Sequence, residues 1–107
     1  MKIPAAPKSL SPEARRWWRA LCGENDLSDA AGRLLLQTAL EALDRMRQAQ
    51  AQIERDGATT RDRFDQLKPH PAIAVERDAR AQLVAVLRQL NLDLEPLHAA
   101  PGRPPGR

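Results

Sequence analysis

Two histidines, one cysteine and fourteen carboxylates are the side chains in this 107-residue sequence suited to proton transfer, nucleophilic attack or metal binding. Their spacing supports none of these. His70 stands between Pro69 and Pro71, a setting for a helix cap, and His98 falls in a Pro/Gly-rich end. Cys22 has no internal disulfide partner and fits a reducing compartment. Asp29, Glu41, Asp44, Glu54 and Asp56 spread along one long helical pattern with Arg45, Arg47 and Arg55 among them, the pattern of a solvated face. There is no Gly-rich phosphate loop, no Cys/His cluster and no nucleophile-base-acid set. The expectation is a protein that is not an enzyme and holds no metal or cofactor.

What remains is cationic chemistry. In "SLSPEARRWWRALC", residues 9–22, Arg15, Arg16 and Arg19 crowd Trp17 and Trp18. Residues 1–20 carry Lys2, Lys8 and those three arginines against Glu13 alone, a net charge of +4, and residues 98–107 add Arg103 and Arg107. The overall charge is +3, so the body between is acidic at −3. Basic ends on an acidic body point to contact with a polyanion. Arginines on one helix would bind phosphates and position a duplex rather than read its sequence. We therefore take Lys2, Lys8, Arg15, Arg16, Arg19, Arg103 and Arg107 as the candidate polyanion-binding set, which the family resemblance given below would assign to DNA; a charge of +3 is also ordinary for a soluble protein. Salt bridging of the helix arginines to acids of a neighbouring copy is the alternative.

The elements that carry these residues read as helices. Ala and Leu dominate the 42% hydrophobic residues, with one Phe, no Tyr and no alternating β-branched run. An all-α fold follows. Residues 1–10 form an extended, mobile basic arm. Ser11-Pro12-Glu13 opens a first helix, with Ser11 as cap and Pro12 at the first position, running to Cys22 before Gly23. Asp26 or Ser28 caps a second helix with Asp29 in its first turn. Leu36, Leu40, Leu43, Met46 and Ile53 recur at helical spacing until Gly57. That helix spans about 28 residues, roughly 40 Å. Residues 58–71 read as a loop anchored by Phe64 and Leu67. His70 and Pro71 open a third helix to Leu90, with Val75, Ala79, Leu83, Val86 or Leu87, and Leu90 as its apolar stripe. The helical domain covers 11–95, and 96–107 reads as a disordered Pro/Gly/Arg tail.

A helix of that length must lie against another long helix, in this chain or in a neighbour. The order Leu36, Ala39, Leu43, Met46, Gln50, Ile53 is close to a heptad and favours such pairing. A small, aromatic-poor core also favours oligomerisation. The expected oligomer interface is Trp17 with Leu36, Leu40, Leu43, Met46 and Ile53. Adjacent helical residues project about 100° apart, so the two tryptophans cannot share a direction. Trp18 joins Ala14 and Leu21 at the seam with the hairpin, and Trp17 lies on its flank, free for a neighbouring subunit or half-buried on its own hairpin. Stacking of Trp17 on bases is a weaker option. No apolar run is long enough for a membrane span and nothing resembles a signal peptide, so a soluble intracellular chain without membrane contact is expected.

The order "LSPEARRWWRAL", "LSDAAGRLLLQTALEALDRMRQAQAQIERDG", "KPHPAIAVERDARAQLVAVLRQLNL" resembles the phage terminase small subunits. The matching features are Leu10 to Ala14 before Trp18, Leu27 to Ala30 opening the long helix, Glu54 to Gly57 closing it, and His70-Pro71 opening the last, over about residues 8–95. Where the family commonly has Leu-Gly-Leu at the end of the last helix, this chain has Leu90-Asn91-Leu92. The resemblance implies a non-catalytic DNA-packaging component of the infected host's cytoplasm. It would assemble into a ring, bind double-stranded viral DNA, and deliver it to a large subunit with ATPase and nuclease, which it regulates. A small helical DNA-binding regulator and a helical-hairpin adaptor are the rival readings. The first needs a shorter second helix than Leu27 to Gly57 provides.

Overall fold

The computed structural model describes residues 3–92, in which three helices and one small hairpin follow in the order α1 (Pro12–Glu24), α2 (Ala30–Asp56), β1 (Thr59–Arg61), β2 (Leu67–Pro69) and α3 (Pro71–Gln89). The expected helices are present. Lys2, His98, Arg103, Arg107 and the tail at 96–107 lie outside the described residues.

Helix α1 starts where its residues dictate. The Ser11 hydroxyl accepts from Ala14 N at 3.0 Å, Pro12 opens the helix and Glu13 occupies the first turn. The start of α2 differs from expectation. Asp29 caps it, accepting from Gly32 N at 3.3 Å, while Ser28 donates to Asp26 one step earlier. A Cβ at Gly32 would stand 2.7 Å from an Asp29 carboxylate oxygen, so the Asp29 side chain would have to shift to cap a larger residue there. Gly57, at φ 88°, closes the helix with its N–H on Ile53 O at 2.7 Å.

Residues 58–71 are not a plain loop, which corrects the all-α expectation to a predominantly helical fold with a two-stranded sheet. Thr59 pairs with Pro69, Thr60 with Lys68 and Arg61 with Leu67, antiparallel. No glycine announces this turn. The Asp62 carboxylate builds it instead, accepting from Phe64 N at 2.8 Å and Gln66 N at 3.0 Å, with Asp65 in the left-handed region at φ 63°.

Helix α3 returns along α2. Arg45 donates to Gln82, Gln50 to Glu76, and Asp56 meets His70, a register that runs antiparallel. This pairing is the largest interface in the chain. It absorbs most of the residues expected at a subunit interface: Leu36, Leu40, Leu43 and Met46 are buried in the chain's own core. The near-heptad stripe of α2 finds its partner within the same chain, and Ile53 alone of that α2 group stays half-buried. On α3, Ala79, Val86 and Leu87 are buried with Leu83 and Leu90 packed beside them, but Val75 faces out. The distal half of the hairpin closes on small side chains, Ala49, Ala72 and Ala79, which bring the helices close and leave Val75 outside.

Residues 3–10 are extended but not free. Pro4 O accepts the Trp18 indole N–H at 2.9 Å, Ala6 packs on the core and Leu10 is buried within it.

Candidate nucleic-acid interface

Helix α1 sorts its residues by face. Ala14, Trp18 and Cys22 point into the core, and Trp18 keeps only 2% of its surface exposed. Trp17 is 47% exposed. The pair is therefore split as the helical geometry requires, one as a core anchor and one as surface. Arg16 and Arg19 project outward and make no ion pair among the described residues. Arg15 is half-buried and donates to Lys8 O at 3.3 Å, which ties the exposed Lys8 segment to the helix. The structure thus places Arg15, Arg16 and Arg19 on α1, with Lys8 in the preceding arm tied to it through Arg15.

Two polar clamps fix α1 against α2. Ser11 N donates to Asp44 Oδ2 at 2.9 Å and the Ser11 hydroxyl donates to the other carboxylate oxygen. Arg47 forks onto Glu13, with Nε on Oε1 at 3.0 Å and Nη2 on Oε2 at 3.1 Å. The Arg47 guanidinium holds the Glu13 carboxyl below its ordinary range, and Glu13 in turn raises Arg47. Sequence reasoning placed Asp44, Asp29 and Asp56 on a solvated face. They serve as an inter-helix clamp, a cap and a tie to His70. Residue type alone carries no signal for the Asp44 and Asp56 contacts, whose partners lie 33 and 14 positions away, whereas the Asp29 cap is local.

At the far end, His70 does what its neighbours forecast. Its Nδ1 accepts from Ala72 N at 2.9 Å, capping α3, and its Nε2 meets Asp56 Oδ2 at 2.9 Å. An accepting Nδ1 places the ring proton on Nε2, donated to Asp56. That hydrogen bond, with Arg55 beside it, lowers the Asp56 carboxyl from its ordinary range. Burial pushes the Cys22 thiol up, away from the nucleophilic thiolate. No group of three or more His, Cys, Asp or Glu able to hold a metal occurs among the described residues. No helix there is long and apolar enough to cross a membrane. Among the described residues, the arrangement sets unpaired positive charge on the outer face of α1.

With α1 presenting cations and α2–α3 forming a rigid support, the family comparison becomes informative. The family model described as phage terminase, small subunit, matches residues 13–95, from the first turn of α1 to beyond α3. The chain belongs to this family, which places it in phage DNA packaging among proteins that generally carry no catalysis of their own. Searches of curated proteins and of solved structures returned no match.

Proposed function

We propose that this small subunit forms a ring, binds double-stranded viral DNA through the cationic face of α1, and presents that DNA to the large terminase subunit in the host cytoplasm. The large subunit cuts and translocates; the small one positions DNA and regulates. The observation that carries the DNA reading is the pair Arg16 and Arg19, exposed and free of ion pairs among the described residues, with Arg15 on the same clamped helix and Lys8 in the arm tied to it. Lys2, Arg103 and Arg107 extend this charge in the sequence. Phosphate contacts of this kind release counterions, so affinity falls as salt rises, with a log–log slope of about 0.9 per phosphate neutralised.

The test is DNA affinity measured across a salt series. The triple variant Arg15→Ala, Arg16→Ala, Arg19→Ala should bind duplex DNA more weakly on every sequence and flatten the salt slope by about two to three. Each substitution lies on α1 away from Trp18, so helix content should hold. A wild-type chain with no salt-dependent DNA affinity would favour the adaptor reading. The 27-residue length of α2 speaks against the compact helix-turn-helix regulator.

A further inference from the structure

Two apolar features stay open to solvent among the described residues. One is a groove of about 370 Å³ between α1, α2 and α3, walled by Trp17, Leu21, Leu43, Met46, Leu83 and Leu87. The other is the tip of the β-hairpin, where Phe64 and Leu67 stand 69% and 63% exposed. Phe64 is the only phenylalanine in the sequence. Its ring is held out by the Asp62-built turn and covered on one face by the Arg63 guanidinium, 5.2 Å from the centroid.

Resting on the ring reading above, we infer that the hairpin tip of one copy seats in the Trp17 groove of the next. Three observations favour a second copy as the occupant. The first is reach. The tip cannot fill its own groove, because the α2 segment from Arg47 to Asp56 holds the two apart as a rigid spacer of about 15 Å, with the hairpin projecting beyond it. The second is charge. At the tip, Lys68 pairs with Asp62 and Arg61 with Asp65, leaving Arg63 without a carboxylate among the described residues. At the groove rim, Arg47 is matched by Glu13, leaving Glu24 without a cation there. The tip keeps a positive charge beside its phenyl ring, and the groove lining keeps a negative one at Glu24, two turns along α1 from Trp17. The third is shape. A protruding aromatic anchor and a concave apolar seat of ligand-pocket size are the two halves of an interface hot spot.

The two surfaces are different patches of one chain, so the contact is heterologous and repeats from copy to copy. Such contacts close into rings when the rotation allows. Trp17 is then the seat for a neighbour's Phe64, and α1 is held in the assembly by the same groove that its outward arginines leave uncovered.

The experiment is solution mass by light scattering behind a sizing column, on the full chain at micromolar concentration. Phe64→Asp and Trp17→Glu should each keep wild-type helix content by circular dichroism and each lose the assembly, weakening it at least ten-fold. Mixed in equal amounts, they should form a 1:1 dimer and nothing larger, because one intact tip meets one intact groove and both remaining halves are broken. Arg63→Glu should weaken assembly, and Glu24→Arg in the same chain should restore it. A Phe64→Asp chain with the wild-type mass, or variants that stay monomeric when mixed, would overturn the tip-in-groove contact while leaving a ring of another kind intact. A monomeric wild-type chain would overturn both the contact and the ring.

Discussion

Trp17 and Trp18 show what one helical step decides. Trp18 is enclosed by the core and donates its indole N–H to Pro4 O, whereas Trp17 stands half in solvent on the groove wall. In denaturant unfolding of the chain kept dilute enough to stay monomeric, Trp18→Ala should cost about 3–5 kcal/mol, the range for emptying a buried large side chain. Trp17→Ala should cost under about 1 kcal/mol, as surface changes do. Equal losses would contradict the assignment of faces. Asn91 offers a second test. It ends α3 at φ 61°, with Leu92 N returning to Leu87 O at 2.8 Å, a left-handed position that favours glycine. Glycine adopts that conformation without the Cβ penalty. Asn91→Gly should therefore raise stability by up to about 1 kcal/mol in the same assay, and a loss would mean that the Asn91 side chain does more than tolerate the turn.

At the scale of elements, the helices were legible because their ends are written in consecutive residues. Ser11-Pro12-Glu13 and His70-Pro71 each place cap, first-turn proline and following helix in order, and both caps form as expected. The β-hairpin was not legible. Its turn depends on one carboxylate reaching two backbone N–H groups within four residues, and Asp62 looks locally like any solvated acid. These carboxylates also set a pH dependence. Glu13, Asp56, Asp62 and Glu76 all have pKa values lowered in the folded chain, by Arg47, His70, the Gln66 backbone and Gln50 respectively as the leading causes. A folded pKa below the unfolded one adds stability that is fully present above the ordinary carboxylate range and is lost as pH falls through the folded values. The unfolding midpoint should hold from neutral pH to about 5 and decline below it. A midpoint that stays level from pH 5 to 3 would show that these bonds contribute little to stability, as exposed ion pairs often do.

At the scale of the whole molecule, the hairpin of α2 and α3 is self-sufficient, which changes the expected route to assembly. A stripe that could have zipped neighbouring copies together is spent inside each one. Any larger assembly must use what remains outside: Trp17, Leu34, Phe64, Leu67 and Val75 are the large exposed apolar residues on α1, α2, the hairpin and α3. The basic face of α1 also remains outside, so the proposed DNA contact and the proposed subunit contact would draw on different surfaces of the same short helix.

The sequence by itself determined the helical elements, their order, the split of the two tryptophans and the cationic character of α1, because caps and 3.6-residue periodicity are local. Only the tertiary structure decided where each surface goes. Whether Leu36 to Met46 meets α3 of the same chain or a helix of another is a choice between identical chemistries, and a periodic stripe looks the same in both. The same holds for Asp44 and Arg47, whose partners on α1 lie more than thirty residues away. It holds for Phe64, which reads as a loop anchor until the backbone shows that nothing in the described chain covers it.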